Sequence, residues 1–101
     1  MNKVFKLAEE TLYNYFGPSH PLHVNIHNIV AGLYISKGKM SDADKIFKSS
    51  LNCCIQSLGP NHIKTGNLHM EIGYFNLKND NKIEALKHFE NALLIFDFYH
   101  Q

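Results

Sequence analysis

Apolar residues recur every three or four positions along most of this chain, and short polar or glycine-containing breaks separate the stretches that carry the pattern. Residues three and four apart share one face of a helix, so this spacing predicts helices. Over residues 3–15 the stripe is Phe5, Ala8 and Leu12, with Glu9 and Glu10 facing away. Gly17-Pro18 breaks it, because glycine accepts the backbone conformations that end helices and proline cannot continue one. Ser19 or His20 is placed to cap the next helix, and Pro21 suits its first turn. Residues 21–37 then offer Leu22, Ile26, Ile29 or Val30, and Leu33 as a buried stripe, with Lys37 and Gly38 as the stop. Ser41 and Asp42 open a helix over 41–57, whose face of Ala43, Ile46, Phe47, Ser50, Leu51 and Cys54 is the cleanest in the chain. After Gly59-Pro60, residues 63–78 place Leu68, Ile72 and Phe75 inward. Asn79-Asp80-Asn81 turns the chain, and residues 82–97 place Ile83, Leu86, Phe89, Leu93 and Phe96 inward. No stretch sustains strand alternation. The expectation is an all-α chain of five helices joined by short turns.

The pattern also repeats. Phe16-Gly17-Pro18-Ser19-His20 returns further along as Leu58-Gly59-Pro60-Asn61-His62. At the shift that sets Gly17 on Gly59, Asn25 falls on Asn67, His27 on His69, Val30 on Ile72 and Ala31 on Gly73. Leu33 falls on Phe75, Ala43 on Ala85, Phe47 on Phe89 and Leu51 on Leu93. Small residues meet small ones and aromatics meet aromatics, which chance would not keep in one register. A fixed period of this size implies supersecondary units that bury their apolar faces on one another.

The residues that recur are Ala31-Gly32-Leu33-Tyr34, Gly38, Ala43, Phe47 and Ser50-Leu51, then Gly73-Tyr74-Phe75, Asp80, Ala85, Phe89 and Ala92-Leu93. They resemble a tetratricopeptide repeat, and the long period with its Leu-Gly-Pro-x-His turn looks like the longer repeats of kinesin light chain. The resemblance spans nearly the whole chain. It implies a right-handed stack of antiparallel helical hairpins, an α-solenoid. Residues 1–16 would be the second helix of a partial repeat, with Phe5 and Ala8 on the positions of Phe47 and Ser50. Residues 17–58 and 59–101 would be two full repeats of a single domain. The sequence departs from the pattern at Ile63, where a proline is expected, at Asn76, where a tyrosine is expected, and at His27 and His69, where leucine is common.

In such arrays the first helix of each pair lines a concave groove that holds an extended peptide. Carried over by repeat register, that face is Asn25, Asn28, Ile29, Gly32 and Ser36, and again Asn67, Met70, Glu71, Tyr74 and Lys78. Asparagine suits the task because its amide both donates to and accepts from a peptide backbone. The function so implied is a protein-interaction module, a scaffold or adaptor, not an enzyme. Two alternatives stand beside it: the non-catalytic helical end of a larger enzyme, as in MYND/SET-type lysine methyltransferases, and a structural spacer.

Charge narrows the partners. The formal net charge is +1, and all ten basic residues are lysine. With no long run of either sign, this argues against a binder of nucleic-acid backbone, which needs a basic face, and bidentate guanidinium recognition is excluded. No run of about 18 apolar residues exists to span a membrane. The start lacks the apolar core of a signal peptide. Cys53 and Cys54 are neighbours and point about 100° apart on a helix, which suits neither a shared metal nor an easy disulfide. A reduced, cytoplasmic setting is expected.

No catalytic or cofactor motif emerges. His23 and His27 share a helix face at a metal-binding spacing, but no third ligand falls in the same window, so no metal is expected. His20 and His62 belong to the repeated turn and are expected to cap or bond within it. Nothing places a base beside the two cysteines, and Cys54 lies on the core stripe. Glu9, Glu10 and Glu71 lack an acidic partner at an active-site spacing. Neither Gly-Pro turn has the glycine-rich run and Lys-Ser/Thr of a phosphate loop. The last helix, with Leu93, Leu94, Ile95, Phe96, Phe98 and Tyr99, is too apolar to have one face in water. Leu94, Ile95 and Phe98 are the expected surplus. It would pack against a following repeat or another chain, most simply as a homodimer.

Overall fold

A computed structural model describes the backbone of residues 2–17 and 21–99, apart from the side chains of residues 2, 4, 5, 8, 9, 12, 16 and 21. The described residues form five helices and no strand: α1 (Asn2–Phe16), α2 (Pro21–Ser36), α3 (Met40–Leu58), α4 (Ile63–Lys78) and α5 (Lys82–Tyr99). The chain is therefore all-α. Phe5, Ala8 and Leu12, expected on the first stripe, and the expected caps Ser19 and His20 lie outside the described residues. The helices fall into two compact units, Met1–Ser57 and Leu58–Gln101.

The turns show why the helices stop where they do. After α2, the Lys39 N–H donates to the Tyr34 carbonyl at 2.8 Å and the Gly38 N–H to the Ile35 carbonyl at 3.0 Å. Gly38 has a φ of 76°, completing a Schellman arrangement that satisfies the last carbonyls of the helix. After α4, the Asn81 N–H donates to the Asn76 carbonyl at 2.8 Å and the Asp80 N–H to the Leu77 carbonyl at 3.2 Å. Asp80 takes the glycine's place with a φ of 60°. Ala43 to Lys39 and Ala85 to Asn81 then open α3 and α5 with matching bonds. Every donor and acceptor of one turn falls on its counterpart in the other at the shift that sets Gly17 on Gly59.

The glycines of the two Gly-Pro breaks also correspond. Gly17 and Gly59 have φ values of 83° and 97°. The Gly59 carbonyl accepts from Thr65 Oγ1 at 2.8 Å. The Gly17 carbonyl lies 3.2 Å from Nε2 of His23, the residue that falls on Thr65 at the same shift. His62 caps α4 through Nδ1, which accepts from the Lys64 N–H at 3.1 Å.

In the first unit the buried residues are His23, His27, Val30 and Ala31 of α2 with Ala43, Phe47, Ser50, Cys53 and Cys54 of α3. The face expected on α3 is thus largely the buried one. That of α2 is not: Leu22, Ile29 and Leu33 are exposed and Ile26 half-buried. α2 is apolar on most sides, so spacing alone leaves its orientation open. The His23 contact to the Gly17 carbonyl turns the histidine side inward.

In the second unit Thr65, Leu68, His69, Ile72, Phe75 and Asn76 of α4 are buried with Ala85, Ala92 and Ile95 of α5. The two helices meet at glycines. A Cβ on Gly73 would stand 2.7 Å from the Phe89 ring, and one on Gly66 would stand 2.9 Å from the Phe96 ring. Both aromatic rings are half-buried and lie against α4 backbone. Ile83, Leu86 and Leu93, expected inward, are exposed instead. The small Ala85 and Ala92, not the larger aliphatics, face α4, because they let the helices approach closely enough for the rings to reach the glycines. Ile95 packs beside Gly66 at 5% exposure, so it does not belong to the apolar surplus on the outside.

Candidate interaction surface

Burial on α4 covers one broad side, from Phe75 through Asn76 to Gly66, and leaves the opposite stripe in solvent. That stripe is Asn67, Met70, Glu71, Tyr74 and Lys78, all exposed and within an arc of about 100°. Helical spacing brings all five together. Lys78 Nζ sits over the Tyr74 ring, 4.7 Å from its centroid, where the face of the ring attracts the cation. The Glu71 residue is exposed, yet partial burial of its carboxyl pushes the pKa above the ordinary carboxylate value. A carboxyl so placed gains by meeting an amine.

α2 carries the equivalent stripe. Asn25, Ile29, Gly32 and Ser36 are exposed. Asn28 is half-buried, and its Oδ1 accepts from Ser50 Oγ at 3.4 Å, so part of its amide is committed to α3. Ser36 Oγ donates to the Leu33 carbonyl at 2.9 Å. This stripe is less chemically varied than that of α4, with no charge on it.

On α5, Leu94 and Phe98 are exposed as expected, and the Phe98 ring meets Tyr99 edge-on at 5.5 Å. Glu90, Leu93, Leu94 and Asp97 line a shallow open depression.

The groups that could carry chemistry are placed otherwise. Cys53 and Cys54 are buried and form no disulfide. Burial, then the neighbouring Cys54, pushes the Cys53 thiol up, so the nucleophilic thiolate is disfavoured. The His23 and His27 rings are tilted 46° to one another, with centroids 6.3 Å apart. His69 and His88 stand with their Nδ1 atoms 3.0 Å apart, close enough for one to donate to the other. Among the described residues no group of three or more potential metal ligands converges. No described helix is long and apolar enough to cross a membrane.

Two features were missed by the sequence reasoning. One is the His69–His88 pair: the repeat register sets His88 on Ile46, a position of the α3 stripe, and so marked it as inward. The other is the buried Asn76, whose Nδ2 donates to the Ile72 carbonyl at 2.9 Å and whose Oδ1 accepts from Asn81 Nδ2 at 3.3 Å. Its position, matched to Tyr34, was the available signal. No protein-family model matches the chain, and no curated protein matches it.

Proposed function

We propose that this chain is a protein-interaction module of the tetratricopeptide type, holding an extended peptide or partner helix against the outward stripes of α2 and α4. The observation that supports it most is the recurrence of the α2–α3 turn between α4 and α5, bond for bond, in the register that sets Gly17 on Gly59. A chain that rebuilds the same helical pair turns the corresponding positions outward on α2 and on α4, which suits a ligand that itself repeats, such as a peptide backbone. On α4 the stripe supplies an amide (Asn67), a flexible thioether (Met70), a partly covered carboxyl (Glu71) and a lysine on a tyrosine ring. Those groups match a mixed peptide with a basic residue and an apolar anchor.

The test is selection from a random peptide library, followed by affinity measurement. Changing Asn28 and Asn67 together to Ala is expected to weaken the selected peptides about thirtyfold, since each lost amide bond is worth about 1 kcal/mol. The melting temperature should stay essentially unchanged for Asn67→Ala, which is exposed. Selected peptides that bind wild type and double variant equally would sink the assignment.

A further inference from the structure

The outward face of α5 is apolar where its counterpart is polar. Ile83, Leu86, Leu94 and Phe98 are between 58 and 73% exposed. The residues one period earlier, on α3, are Ser41, Asp44, Asn52 and Gln56. The repeated helical pair therefore does not require apolar side chains at these positions, and α5 carries them for another reason.

The charges on the same face indicate which partner. On this face Lys82 and Lys87 lie N-terminal to Glu90 and Asp97, the two carboxylates flanking the shallow depression that Leu93 and Leu94 line. Such a face is complementary to itself when reversed. Laid antiparallel on a second α5, Leu86 comes opposite Leu93 and Ile83 opposite Leu94. With the two-fold axis at the level of residue 89, both of these pairs, and Lys82 with Asp97 and Lys87 with Glu90, fall within one residue of directly opposite. A two-fold axis makes each of these pairs twice, and the two helix dipoles oppose each other favourably. The exposed Lys87–Glu84 contact, 3.5 Å within one helix, is too weak to hold Lys87 back.

We propose that the chain forms a two-fold symmetric homodimer through antiparallel contact of α5 with α5, the partner being a second copy of itself. This rests on α5 alone and stands whether or not α2 and α4 bind a peptide. One helix about 27 Å long makes a modest interface, so dissociation on the order of 10 µM is expected.

Sedimentation equilibrium of the 11.6 kDa chain over a concentration series up to about 100 µM tests it. The expected result is a monomer–dimer equilibrium that Leu94→Lys weakens at least tenfold. Lys82→Glu and Asp97→Lys should each weaken it severalfold, and the two together should restore it. Both charge reversals are favourable to the helix dipole, so loss of folding does not account for a weakened dimer; circular dichroism checks this. A monomer throughout would overturn the proposal and assign the face to a different occupant. A dimer indifferent to Leu94→Lys would overturn its location, and failure of the double reversal to restore it would overturn the antiparallel register.

Discussion

His69 and His88 share a single proton across their 3.0 Å contact, since two Nδ1–H groups cannot face each other there. Burial, and then His88, lowers the His69 pKa below its ordinary value. The folded chain thus resists a proton that the unfolded chain accepts. Well above pH 6.5 His69 is neutral in both states and its contribution to stability is intact. As the pH falls below that, the unfolded state binds more protons and stability declines until the folded value is passed. Replacing His69 with Asn removes this titration. The deficit of His69→Asn relative to wild type is therefore expected to shrink as the pH is lowered from about 7.5 to about 5, measured by urea midpoints. A deficit that stays constant or grows would contradict the coupling of this pair.

At the scale of elements, the two Schellman turns differ in one respect: Gly38 meets the positive φ without strain and Asp80 does not. An L side chain in this region costs roughly 1 kcal/mol, less for aspartate than for most. Asp80→Gly is expected to raise stability by about 0.5–1 kcal/mol, and Gly38→Ala to lower it by about 1–2 kcal/mol. Denaturant melts measure both. A lower midpoint for Asp80→Gly would mean that the aspartate side chain contributes more than its backbone conformation costs. These turns were the most legible part of the sequence, because glycine, asparagine and aspartate accept the positive φ that ends a helix and proline cannot continue one. The α3 face was legible too, since its polar residues exclude every other orientation. The faces of α2 and α5 were not. Both helices are apolar on several sides, and there the glycines, alanines and histidines, not the bulkiest residues, mark the buried side. The match of Ala43, Phe47 and Ser50 to Ala85, Phe89 and Ala92 held the answer for α5. The candidate stripes on α2 and α4 were legible by the same register, Asn28 excepted, whose bond to Ser50 joins two helices and leaves no trace in spacing.

At the scale of the molecule, each unit spends one side of its helices on burial and leaves chemically distinct outward surfaces. The α4 stripe mixes an amide, a carboxyl and a lysine-capped tyrosine, whereas α5 offers aliphatic side chains between charges of opposite sign. The reading of the α2 and α4 stripes as the working surface is tested most directly by a nitrogen–proton correlation spectrum of the labelled chain, titrated with a library-selected peptide. The account predicts shifts at Asn25, Ile29 and Gly32 and at Asn67, Met70 and Tyr74, with Leu86 and Leu94 unmoved. Shifts confined to α5, or none at saturating peptide, would contradict it.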